Sequence, residues 1–310
     1  MQRLLGRKSA FRSSGPGFLA SVSSTKDNSE KSSRYHCHSP YKNCRHLHSR
    51  GTLSFFSPVL KRTLSYFIHQ DFSTMAAAIP PEYPKCKFTY FPIAGAGERV
   101  RLAFVMTGKE FEDNRVKFPD WQALKPTTPY GQMPLLDLTF EDGSTKRFCQ
   151  SIGLMTYVAR QFDTTKTLYP EHDPVKCALV DDVRGLSDDM FRSWTPALYI
   201  GMSNRHVNFG HPEEWPERDA TVQKLRTTFL AEELPRFMGY LKKLLEENGG
   251  PFLCGKDVTI ADLQWLPQLR YYQGGIADHV PTDSLDAFPW IIEYIAKMLE
   301  VPQIKAYYKL

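Results

Sequence analysis

The sequence has no C-x-x-C pair, no long apolar run and few acids in its first seventy-odd residues. Each absence removes a class of protein. The six cysteines, at positions 37, 44, 86, 149, 177 and 254, are scattered. That argues against a disulfide-stapled secreted protein and against a dithiol oxidoreductase, and favours reduced thiols inside a cell. No run reaches the roughly 18 apolar residues that a membrane-spanning helix requires. The "GAGERV" stretch falls short of G-x-G-x-x-G, and no acidic residue follows a second parallel strand in the right frame, so a dinucleotide loop is excluded. The net charge of +5 over 310 residues is unevenly spread. Residues 1–74 hold 12 Lys/Arg against 3 Asp/Glu, leaving 27 against 31 for the rest. The remainder is therefore mildly acidic, and it offers no basic face for nucleic acid.

What is present is ample for folding: 42% hydrophobic and 13% aromatic residues, in a length that suggests about two domains. Residues 1–82 lack helical or strand period and are expected to be a disordered basic extension. The first 25 contain four Arg/Lys, no acid and many serines, the composition of an organellar transit segment. Met75, opening "MAAAIPPEYPKCKFTYF", reads equally well as a natural start, and both readings stay open. The expected compartment is cytoplasmic, or mitochondrial or plastid if the extension is a transit segment. "YHCHSPYKNCRHLH" (35–48) gathers four His and two Cys, a metal-binding composition with no zinc-module spacing.

Residues 83–165 predict an α/β domain in the order β-α-β-loop-β-β-α. "KFTYF" and "FEDNRV" read as strands flanking a helix in "GERVRLAFVMTG", where Val100, Ala103, Phe104 and Thr107 share a face and Gly108 is a stop. Such a crossover demands a parallel pair. "DWQALKPTTPYGQ" reads as irregular. "PLLDLTF" and "STKRFC" form a hairpin across "EDG", and "SIGLMTYVARQF" is a helix. From 174 to 310 the period is helical throughout. In "VTIADL", Thr259 and Asp262 have capping-box spacing, a cap for the fold rather than a catalytic pair.

The strings "FTYFPIAGAGERVRLAF", "DWQALKPTTPYGQMPLL", "CQSIGLMTYVARQF" and "VTIADL", in this order and spacing, resemble the cytosolic glutathione transferases, most closely the sigma class, with pi and mu as relatives. The resemblance covers about residues 84–310. It implies a thioredoxin-like domain followed by an all-α domain, a homodimer, and glutathione as co-substrate with no other cofactor. It implies conjugation of the glutathione thiolate to electrophilic apolar compounds; a glutathione-dependent prostaglandin-type isomerase and a non-catalytic binding relative are the alternatives.

The resemblance also assigns residues. Tyr90 is the expected catalytic group: a phenol O–H donated to sulfur favours the thiolate, since a free thiol is mostly protonated at neutral pH. On pattern alone it would pass for an alternating strand aromatic between Phe88 and Phe91. Pro134 is expected to be cis, presenting the backbone of Met133 to the cysteinyl unit of glutathione, with Gln132 beside it. A proline at a strand's first residue loses no ladder donor, so an ordinary edge proline is the competing reading. Gln150 and Ser151 open a helix whose free N–H groups suit the γ-glutamyl carboxylate, with Ser151 also a candidate N-cap. Trp121 and Lys125 match the residues that hold the glycyl end. Glu98 is in its family place. Two positions depart: Ala96 stands where an arginine is usual, and Gly185 stands where a partner-subunit Asp is usual, with Asp182 as a substitute.

Overall fold

The computed structural model describes residues 83–310, which fall within the second of two units, Ala76–Leu310. The expectations for residues 1–82, including the His/Cys segment, lie outside the described residues.

Strand β1 (Lys85–Tyr90) buries Cys86, Phe88 and Tyr90 at alternate positions, as the two-residue strand period requires. Helix α1 (Gly95–Thr107) buries Val100, Ala103 and Phe104 and ends at Gly108, whose φ of 67° is the left-handed cap. β2 (Glu112–Arg115) then pairs parallel with β1, the crossover the sequence demands. The segment expected to be irregular contains a short helix α2 (Trp121–Leu124) and a 3₁₀ turn (Lys125–Thr127). β3 (Leu135–Thr139) and β4 (Thr145–Cys149) form an antiparallel hairpin. Its turn is closed by Phe140 N–H on Ser144 O at 2.8 Å and by Gly143 at φ 78°. The sheet order is β2-β1-β3-β4, with β3 antiparallel to β1. Helix α3 (Ser151–Phe162) packs its buried Leu154, Met155 and Val158 alongside α1.

The remaining elements are helical: α4 (Pro174–Ile200), a 3₁₀ segment (Ser203–Phe209), α5 (Arg218–Thr228), α6 (Leu234–Glu247), α7 (Ile260–Gln273), α8 (Pro289–Glu300) and α9 (Pro302–Tyr308). Asp173 caps α4 by accepting Val175 N–H at 3.1 Å and Lys176 N–H at 3.0 Å. Two stretches that read as continuous helix are divided. A π turn (Phe229–Glu233) separates α5 from α6, where Pro235 withdraws a backbone donor. Val301–Pro302 separates α8 from α9 for the same reason. Among the described residues, no helix is long and apolar enough to cross a membrane.

The capping box forms, and Asp262 does more than cap. Its fully buried carboxylate accepts Thr259 N–H (2.8 Å), Thr259 Oγ1–H (3.0 Å), Leu253 N–H (2.9 Å) and the Tyr294 hydroxyl (3.0 Å). One side chain thus ties a loop, the start of α7 and the middle of α8. Burial still dominates its titration and pushes its pKa up. Removing the acceptor strands four buried donors. Asp262→Ala is therefore expected to cost about 3 kcal/mol or more, read as a lowered urea midpoint against the unaltered protein.

Candidate functional site

The end of β1 meets the start of α1, and the sequence makes that meeting close. Glycines at 95 and 97 leave the first turn bare. A Cβ at Gly97 would lie 2.3 Å from Tyr90 Cδ1, and one at Gly95 would lie 2.7 Å from the Tyr90 hydroxyl oxygen. The ring of Tyr90 therefore rests directly on helix backbone. Ala94, the residue before the helix, offers no side-chain cap. The Tyr90 hydroxyl takes that role, accepting Ala96 N–H at 3.1 Å. Its oxygen is thus held by a helix-terminal donor. Its own hydrogen is left to point at another acceptor. Burial raises the Tyr90 pKa above 10, opposed by the Ala96 donor and by Arg101 and Arg99. The phenol stays protonated through neutral pH.

Arg101, wholly buried, fixes the loop between Tyr90 and α1. Its guanidinium donates to Phe91 O at 3.1 Å, to Ile93 O at 2.9 Å and to Glu98 Oε2 at 3.3 Å. Nε bridges to Asp113 on β2 at 3.1 Å. Sequence reading passed over this residue; the signal was an arginine inside an otherwise buried helical face. Glu98 is buried and also faces the chain end, where Tyr308 titrates against it and Arg270.

The strand register gathers the other expected residues. Thr89 pairs with Leu135 and Leu135 with Cys149, so Tyr90, Pro134 and Gln150 stand at adjoining strand ends. The Met133–Pro134 peptide is cis. Met133 has neither backbone group engaged in a hydrogen bond with the described residues. Gln150 Nε2 donates to Gln132 Oε1 at 3.0 Å, joining two of the candidates. Ser151 is the first residue of α3 and not its cap. The cap position is Gln150, at φ 78° and with no side-chain hydrogen bond to the helix. The first N–H groups of α3 therefore remain available. Trp121 packs edge-on against Phe91, ring centroids 5.8 Å apart, next to Tyr90. Its ring N–H has no partner among the described residues. Lys125 is exposed, its stem running past Gly131.

α4 brings a second wall. Tyr199 lies near enough to Tyr90 to influence its titration, and Arg205 covers the Tyr199 ring at 4.7 Å. Arg184 donates to Asp181 at 2.7 Å and to Ile152 O in the first turn of α3 at 3.3 Å. Asp181 also accepts the Tyr169 hydroxyl at 2.8 Å. Asp182 is exposed and makes no hydrogen bond or ion pair with described residues. It lines, with Gly185, a groove of about 670 Å³ between α4 and α6, a place separate from Tyr90.

Three comparisons bear on this arrangement. Residues 214–309 match the family model described as "Glutathione S-transferase, C-terminal domain". The chain is 33% identical over 223 residues to glutathione S-transferase 1 of Ascaris suum, covering 72% of this chain and 94% of that one. It is 28% identical over 223 residues to hematopoietic prostaglandin D synthase of Gallus gallus, covering 69% and 96%. The solved sigma class structure from Fasciola hepatica superposes with a TM-score of 0.57 at 25% identity, covering 73% and 96%.

The bare first turn of α1 makes a direct prediction. Gly97→Ala is expected to displace the Tyr90 ring and to cost about 1–3 kcal/mol, as overpacking does. Thermal unfolding followed by tyrosine fluorescence measures it; Gly108→Ala, with open space at its Cβ, serves as the strain-only comparison.

Proposed function

Because the chain belongs to the glutathione S-transferase family and is a glutathione transferase, we propose that Tyr90 is the residue that stabilises the glutathione thiolate. The observation that carries this reading is the hydrogen bond from Ala96 N–H to the Tyr90 oxygen. A phenol whose oxygen accepts a helix-terminal N–H is a stronger donor, and its raised pKa keeps the proton in place. In the proposed reaction the glutathione S–H ionises and its proton leaves to solvent. The sulfur, held by Tyr90 O–H, attacks an electrophilic carbon, and the displaced group departs with its electron pair.

The same reading distributes the rest of glutathione. The unengaged backbone of Met133, beside Pro134, takes the cysteinyl unit as a short strand pair. The γ-glutamyl carboxylate lies on the free N–H groups of α3, with Ser151 Oγ and the joined Gln132 and Gln150 side chains around it. Trp121 and Lys125 hold the glycyl carboxylate, one by a ring N–H and one by a point charge. The apolar electrophile lies between the sheet-bearing part and α4, towards Tyr199. Glutathione is co-substrate, and no further cofactor enters. We assign the chain to the sigma class, supported by the Fasciola hepatica structure, and take it to act as a homodimer. The α4–α6 groove, with unengaged Asp182 on its wall, supports a contact there to a second copy.

A second reading is favoured by the similarity to the Gallus gallus prostaglandin D synthase: isomerisation of an endoperoxide through the same thiolate. One assay pair separates them. Residues 75–310 are given glutathione with a chloronitroaromatic acceptor, or with a prostaglandin endoperoxide. Tyr90→Phe is expected to lower turnover by roughly ten- to a thousandfold, the scale of one lost donor to a developing anion, with little change in glutathione affinity. Unchanged turnover in Tyr90→Phe removes the role given to Tyr90. Turnover confined to the endoperoxide makes isomerisation the activity.

A further inference from the structure

The first turn of α3 has the polarity of an anion seat, and its own side chains do not neutralise it. It carries no acidic residue, and no side chain caps it. Its free N–H groups make that end positive. Stability alone would favour an aspartate or glutamate there. The fold sets an arginine instead. Arg184 of α4 is only 7% exposed, and its guanidinium lies against that turn, Nη2 donating to Ile152 O at 3.3 Å.

Hydrogen-bond satisfaction does not account for the placement. Ile152 O already accepts the Thr156 hydroxyl at 2.9 Å. Asp181, which accepts Arg184 Nη1 at 2.7 Å, also takes the Tyr169 hydroxyl at 2.8 Å. The Asp181 side chain is half exposed, so water screens much of its charge. Arg184 Nε is buried without a hydrogen-bond partner among the described residues, which is unfavourable for the fold. Yet the residue is held firmly. Its own carbonyl accepts Gln264 Nε2 at 3.0 Å, and the carbonyl before it, Val183 O, accepts Trp265 Nε1 at 2.9 Å, both from α7. Two α7 side chains thus fix the backbone of a cation beside a positive helix end. That charge becomes favourable when an anion occupies the end.

We propose that Arg184 is a positioning residue for glutathione: from α4 it braces the first turn of α3 and adds positive charge beside the N–H groups that take the γ-glutamyl carboxylate. The inference rests on the placement of that carboxylate on α3. Arg184 acts through Ile152 and through its field, and Asp181 orients it.

The test uses the full chain and two ligands, glutathione and γ-aminobutyryl-cysteinyl-glycine, which differ only by the γ-glutamyl carboxylate. Calorimetric titration gives the affinity of each. Arg184→Met, which keeps an apolar stem and removes the charge, is expected to weaken glutathione about five- to tenfold and the second tripeptide by less than about twofold. In conjugation of a chloronitroaromatic acceptor, the KM for glutathione should rise by the same factor, while kcat at saturating glutathione changes by less than about twofold. Arg184→Lys, which restores the charge without the planar fork, should recover most of the affinity. If Arg184→Met does not fold, Arg184→Gln carries the same expectation. Unchanged glutathione affinity in a folded variant overturns the proposal. So does an equal loss for both ligands, which would make Arg184 a strut of the fold only. Ser151→Ala, titrated alongside, reports on the carboxylate placement independently. If the unaltered protein binds both ligands equally and Ser151→Ala is no weaker, that placement falls, and the proposal with it.

Discussion

The contact on which the site depends is that of one aromatic ring with bare backbone. Tyr90 ends β1, a strand paired on both sides, and its hydroxyl must reach the first turn of α1. That is possible only because residues 95 and 97 carry no side chain there. The arrangement solves two problems at once. The helix lacks a side-chain cap, and the phenol oxygen satisfies one of its free N–H groups. The phenol, in turn, is oriented and polarised by a donor that cannot move without unwinding the helix.

Around this contact, arginines are divided by how many of their donors the fold has used. Arg101 has spent its guanidinium on two carboxylates and two carbonyls, so it is a fastener for the loop behind Tyr90. Arg184 joins α4 to the first turn of α3. Arg99 alone of these three has no hydrogen bond among the described residues. Its guanidinium instead reaches across to α4, with Nη1 3.8 Å from Asp188 Oδ1.

The helical part is held together by a different chemistry, and it meets the sheet-bearing part through α7. Trp265 Nε1 donates to Val183 O at 2.9 Å and Gln264 Nε2 to Arg184 O at 3.0 Å, locking α7 to α4. Asp262 anchors the start of α7, and α7 in turn packs on α1. The position of α1, and with it the seat of Tyr90, is thus supported from behind by a buried carboxylate with four donors. Loss of that carboxylate would be felt first as lost stability.

The order of the elements, the parallel crossover, the hairpin, the glycine stop at 108 and the capping box at Thr259 were all legible in the sequence. These features depend on local propensity and periodicity, which short windows contain. The site was legible only through resemblance: nothing in "KFTYF" separates Tyr90 from its aromatic neighbours. Tertiary structure decided what no window holds. It showed that the two glycines of "AGAG" serve a ring six residues back, and that Gln150 rather than Ser151 occupies the cap position. It placed Arg101 and Arg99, two residues apart in one helix, in opposite circumstances. One side chain meets carboxylates and carbonyls around the crossover, and the other pairs with Asp188 of α4. Charge compensation depends on which distant groups come within a few ångströms, and only the folded chain sets those distances.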